Sequence, residues 1–135
     1  MKTELTWALP IAAALPLMLS ACGTDLAAQC EDAFAAAAGT VEGVVSAEWD
    51  CSEQFGGGWQ RAEVVVEAAT EEEAVAIMED LLRAFAAEPD LLDRWSTPQE
   101  YANEDGTIVV GTGELGFPGV PDLGEVREHY GITPE

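Results

Sequence analysis

Two hydrophobic rhythms alternate along the chain. In "DLAAQCEDAFAAAAGT", Leu26, Cys30 and Phe34 recur every four residues, and Ala37 extends the stripe. That spacing keeps them on one face of a helix, and alanine favours the helical backbone. A helix is predicted from Asp25 or Leu26 to Ala38, with Gly39 at its end. "VEGVVSAEWDCSEQF" then changes period. Val45, Ala47, Trp49 and Cys51 point one way and Ser46, Glu48 and Asp50 the other, as on a half-buried strand. The glycines at 56–58 predict a turn. "WQRAEVVVEAA" follows as a second strand, with Ala62, Val64, Val66 and Ala68 toward the core and Arg61, Glu63 and Glu67 away from it. Two such runs joined by glycines form a hairpin.

The period returns to that of a helix in "TEEEAVAIMEDLLRAFAAE". Thr70 is placed to cap its start, with Glu73 three residues on completing a capping box. Glu71, Glu72 and Glu73 sit at the positive end of the helix dipole. Ala74, Ile77, Met78, Leu81 and Phe85 make the buried stripe, and Pro89 ends the helix. "PDLLDRWS" adds a short helical turn. Residues 99–103 and 107–111 predict strands around a Glu104-Asp105-Gly106 turn, because Asp-Gly is a strong hairpin signal. A proline-rich loop and a helix over 122–130 complete an α-β-β-α-β-β-α order. This order predicts an α+β two-layer sandwich: a mostly antiparallel four-stranded sheet with helices on one face. At the level of fold it resembles a rearranged ferredoxin-like arrangement, which implies no activity.

The first 22 residues carry a different message. Lys2 and the amino terminus precede an apolar run from about Leu5 to Leu19, interrupted by Pro10 and Pro16. Roughly fifteen residues suit the core of a signal peptide and fall short of the ~20 needed to span a bilayer. Leu19-Ser20-Ala21-Cys22 closes the run. This resembles the lipobox of bacterial lipoproteins. The resemblance implies diacylglycerol on the Cys22 thiol, cleavage before that cysteine, and a domain fixed to the cell membrane on its extracytoplasmic side. Two acyl chains on one cysteine anchor stably. On that reading, residues 1–21 are the leader, 22–27 a lipidated tether, and 28–135 a single small acidic domain.

Charge narrows the partners. The chain carries a formal net charge of −21, and Lys2 and Glu4 of the leader cancel, so the excess belongs wholly to the domain. Phosphates would be repelled, which disfavours nucleic acid and anionic lipid heads. Once Cys22 is set aside, Cys30 and Cys51 remain, and an exported chain with an even remainder predicts a disulfide.

Sites of chemistry are sparse. Gly111-Thr112-Gly113-Glu114-Leu115-Gly116 has the spacing G-x-G-x-x-G. Phe117-Pro118 follows where a dinucleotide site needs a helix to open, so no cofactor is expected. His129, with Glu125 one turn before it, supplies at most two ligands where a zinc site wants three or four. Ser46, Ser52 and Ser96 lie outside any G-x-S-x-G context. Asn103, Glu104 and Asp105 group oxygen atoms in one turn without the twelve-residue calcium-loop pattern. Trp49, Trp59, Trp95 and Tyr101 are candidate anchors, since aromatic residues dominate binding hot spots. Trp49 alternates inward, which leaves Trp59, Arg61 and Trp95 as the expected interface. The sequence therefore predicts an anchored, non-catalytic binding or accessory module of the cell envelope with a protein partner. The alternatives are a surface site for a divalent cation or small ligand and, further off, a hydrolase.

Overall fold

The computed structural model describes residues 25–53 and 59–135. The leader, the lipobox with Cys22, and the glycine turn at 56–58 lie outside the described residues. Helix α1 spans Leu26–Ala38, with the Asp25 side chain accepting from the amide of Ala28. Strands β1 (Val44–Ser52) and β2 (Trp59–Val66) follow, then helix α2 (Glu71–Ala87), strands β3 (Tyr101–Asn103) and β4 (Val109–Val110), a 3-10 turn (Thr112–Leu115), and helix α3 (Leu123–Tyr130). Since α1 takes in Leu26 and Ala27, the folded domain begins within the stretch read as tether. Among the described residues no helix is long and apolar enough to cross a membrane.

The architecture is α+β, with a four-stranded sheet in the order β1-β2-β3-β4. β1 and β2 pair antiparallel, as do β3 and β4. The central pair, β2 with β3, is parallel, with Val65 opposite Ala102 and Val66 opposite Asn103. Hairpins account for the two outer pairs, whereas α2 crosses over between the central strands and returns the chain in the same direction. The parallel strands are direct neighbours, so the unit is a plain βαβ crossover and not the split one of a ferredoxin-like fold.

Packing begins with α1 and β1. Cys30 and Phe34 are four residues apart on a helix, a rise of ~6 Å. Cys51 and Trp49 are two apart on a strand, a rise of about 6.7 Å. The near match lets the two elements join at two successive rungs. One is the Cys30–Cys51 disulfide. The other is the Phe34–Trp49 stack, with ring centroids 5.1 Å apart and planes inclined by 6°. Phe85 of α2 meets both rings edge-on. The Cys51 amide donates to Glu31 of α1 at 3.0 Å.

Two local features depart from the pattern expected of β1 and α2. The register of β1 slips between Val44 and Ser46. The extra residue of this bulge is Val45, which turns outward and is exposed, while Val44 packs against the core in its place. Just before it, Gly43 has φ +94°, and a Cβ there would come within 2.7 Å of Ile77 Cδ1. At the start of α2, Thr70 accepts from the Glu73 amide as expected, but Glu73 reaches back to the amide of Ala69 and not to that of Thr70. A reciprocal capping box forms instead at α3, between Asp122 and Glu125.

Segment 88–97 is not the helical turn expected. It makes two separate turns, closed by Leu91 N–H to Glu88 C=O and Trp95 N–H to Leu92 C=O. Leu91 and Trp95 are buried. α3 holds the segment through Arg127, whose guanidinium is almost fully buried. Its Nε donates to Ala86 C=O, its Nη2 to Glu88 C=O and Leu91 C=O, and its Nη1 pairs with Asp93. The carbonyls that α2 and the following turn leave open thus find donors in one side chain. Gly124 lets the first turn of α3 approach: its amide donates to Asp93 C=O at 2.9 Å, and a Cβ there would press on the Asp93 side chain.

Replacing Cys30 and Cys51 by serine and alanine frees a loop of 21 residues' separation, and is expected to lower unfolding free energy by about 3 kcal/mol in urea titration. Arg127→Met takes the donor from the Ala86 and Leu91 carbonyls, while Glu88 keeps the amide of Leu91, and is expected to lose about 2–4 kcal/mol. Asp93 is largely exposed, so Asp93→Asn is expected to lose less than about 1 kcal/mol in the same titration.

Candidate functional site

The sheet ladder opens between β2 and β3. Their parallel register, carried back toward the start of both segments, would set Ala62 opposite Gln99 and Gln60 opposite Thr97. No pairing forms there. Residues 96–97 are drawn away to the segment before α3. Ser96 bridges Asp122, and both the amide and the hydroxyl of Thr97 donate to Pro121 C=O, at 3.0 and 2.9 Å. Pro98 has no N–H to offer β2 in any case. The strands therefore splay, and the gap is a cleft of about 380 Å³ lined by Gln60, Ala62, Thr97 and Gln99, with Trp59, Arg61, Ser96 and Val120 around them. That size falls within the usual range of ligand sites.

The direction of the β2 backbone can be read from its neighbour. Cys51 N–H points at Glu31 on α1 and so away from β2. Cys51 is opposite Gln60. In an antiparallel ladder such a pair turns the peptide groups of both residues outward, and the next outward residue on the same strand is two further along. Gln60 and Ala62 accordingly direct their N–H and C=O groups into the cleft. The β2–β3 ladder takes in only Val65 and Val66, and among the described residues no backbone hydrogen bond from a turn or loop reaches Gln60 or Ala62. The Gln60 Oε1 atom is also buried without a partner among them.

The side chains around this edge are of mixed character. Trp59 is 36% exposed and Val120 41%; the other large apolar residues exposed among those described are Val45 and Val109, which lie elsewhere. Arg61 places its guanidinium carbon 5.7 Å from the centre of the Trp59 ring. Across the ladder Arg61 is opposite Asp50, a favourable pair, whereas Glu48 and Glu63 stand opposite each other.

Trp59 and Arg61 thus lie together at the cleft, as the sequence led one to expect. Trp95 does not join them. It is 1% exposed, with its carbonyl accepting from Leu123 and the guanidinium of Arg94 near its ring. Its expected place at an interface is corrected to a place in the core. The same holds for Tyr101, which is fully buried and has no partner for its hydroxyl among the described residues. Burial pushes its phenol far above the usual range, with Tyr130 adding to the effect. Trp49 packs against Phe34 and Phe85, in line with its inward alternation. Gln60, Ser96, Thr97, Gln99 and Val120 were not anticipated. The available signal was Pro98, which marks where the β3 side of the ladder must end.

Other candidate groups are engaged in structure. Gly111–Gly116 frames the 3-10 turn and ends in a left-handed glycine, and no α-helix opens there. His129 is exposed and lies against Phe117, with centroids 4.5 Å apart. Glu125 serves the capping box of α3. In the Asn103–Asp105 turn, Asn103 Oδ1 accepts from the amide of Ile108, and Asp105 Oδ1 accepts from both the amide and the hydroxyl of Thr107. These bonds engage one oxygen of Asn103 and one of Asp105 within the turn itself. Among the described residues no group of three or more His, Cys, Asp or Glu is placed to hold a metal ion.

Comparisons with family models, with curated proteins and with solved structures returned no match.

The hydroxyl of Thr107, and then its amide, hold the Asp105 carboxyl below its ordinary range. A carboxylate lowered in this way favours the folded turn above the ordinary value of ~3.9, and that support fades as pH falls through the lowered midpoint. Thr107→Val is expected to move the Asp105 midpoint upward, as read by carboxyl NMR titration. An unchanged midpoint would show that the hydroxyl does not set it.

Proposed function

We propose that the protein is a lipid-anchored, extracytoplasmic lipoprotein whose domain is a non-catalytic binding or accessory module of the cell envelope, and that the cleft at Trp59 is its binding surface. The observation that carries this reading is the edge of β2. Two peptide units and two exposed apolar side chains converge on one cleft, and among the described residues the buried Gln60 Oε1 beside it has no partner. That combination of apolar contact and orienting polar groups suits recognition. The anchor is supported by Leu19-Ser20-Ala21-Cys22 at the end of the apolar run. A strongly acidic surface keeps a tethered domain soluble and apart from anionic lipid heads. Capture of a cation at residues 103–105 has less support, because the turn uses one oxygen each of Asn103 and Asp105 and no group of three carboxylates gathers there among the described residues.

Two measurements test the reading together. Cys22→Ala is expected to move the protein from the membrane fraction of the native host to the soluble fraction; retention at the original level would refute the anchor. A photo-crosslinking residue at position 59 is expected to capture a discrete partner that the same residue at position 109 does not. Equal capture from both positions would remove the cleft from the proposal.

A further inference from the structure

We infer that the cleft receives an extended, basic segment of a partner protein, which adds to β2 as a strand. The inference rests on the binding-module reading above and names the mode and the chemistry of recognition. Its first support is the main chain. A strand laid along β2 would meet the N–H and C=O groups of Gln60 and Ala62, spaced as a ladder requires. The sheet's own β3 would have met them had residues 96–97 not been held by Pro121 and Asp122. The site is a missing stretch of ladder within a sheet that is otherwise paired at its centre.

Its second support is the side chains. Neighbouring strands place alternate residues on the same face. An added strand would set every second side chain beside Trp59, Arg61 and Glu63 on the outer face. On this face Arg61 stands opposite Asp50 and Glu48 opposite Glu63, three carboxylates to one guanidinium, and among the described residues none of the four forms an ion pair. Lysine or arginine at alternate positions of the added segment would relieve that repulsion. The domain as a whole, at −21, would steer such a segment inward. A second copy of this chain carries the same charge and would be repelled, so self-pairing through this edge is disfavoured.

The test selects binders from a displayed library of random peptides, each about ten residues long, on the full chain in detergent. The best binder is then titrated into the isotopically labelled protein. Enriched peptides are expected to be basic and rich in strand-forming residues. Binding should slow hydrogen exchange at the amides of Gln60 and Ala62, and lysine-to-glutamate twins of the peptide should bind about tenfold more weakly or worse. Ala62→Pro removes one N–H that faces the cleft and none that faces β1. It is expected to weaken binding by about tenfold, while Val109→Ser leaves it unchanged. If the proline variant unfolds, exchange at the Gln60 and Ala62 amides of the unaltered chain still decides the matter. Peptides that bind without protecting those amides, or that are acidic, would overturn strand addition and leave the binding module standing. No enriched peptide and no crosslink from position 59 would overturn both readings.

Discussion

The buried guanidinium of Arg127 is the contact on which the rest of the domain hangs. The chain holds four arginines. Three of them lie at the surface over aromatic rings, at Trp59, Tyr130 and Trp95. The fourth is committed to the interior, where it gathers the carbonyls of Ala86, Glu88 and Leu91 and pairs with Asp93. A guanidinium presents five donors in a fixed fork, so one side chain can hold the end of α2, the turn after it and α3 in a single arrangement. Once segment 88–95 is held to α3, residues 96–97 meet Pro121 and Asp122 just before that helix, and β2 loses its neighbour. The cleft is thus a consequence of the C-terminal packing, although most of its exposed edge belongs to the N-terminal half of the chain.

The same packing decides where the sheet is open and where it is not. Exposed edges invite pairing with other chains, and natural proteins cover or shorten them. On the outer side of β1, Glu31 of α1 takes the amide of Cys51. β4 has only two residues. The edge that borders the cleft is internal, bounded by the paired stretch at Val65–Val66 and by the loop at 96–99, which admits a narrow extended segment more readily than another sheet.

What could be read from the sequence was what local order decides. The stripe of Cys30 and Phe34, the alternation through Ala47, Trp49 and Cys51, and the Asp105-Gly106 turn all act within a few residues, and each appears where its period put it, although Ala27 and not Leu26 packs on the core at the start of the stripe. The disulfide followed from the cysteine count and from the faces on which Cys30 and Cys51 lie. Val45 escaped because a bulge shifts the alternation by one residue, which no periodicity announces. Trp95 escaped because segment 88–97 has no period: what buries it is α3, much further along the chain. The parallel pairing of β2 with β3 escaped for the same reason. A hairpin is a local device, while a crossover depends on where α2 delivers the chain. Of the cleft, Trp59 and Arg61 were legible from their outward alternation; the opposite wall depends on non-local contacts to Pro121 and Asp122.

The two rungs between α1 and β1 bear on mechanics. Cys30 lies in the second turn of α1, five positions after the capping residue Asp25. A pull applied at the start of α1 reaches Cys30 after one turn of helix and passes through the disulfide into β1, a strand paired to β2 from end to end. The remainder of α1, with Phe34 on Trp49, lies beyond that junction and out of the line of load. A domain built in this way can be tugged from its N-terminal side without peeling its first helix from the core, and the loosening of one turn leaves the cleft untouched.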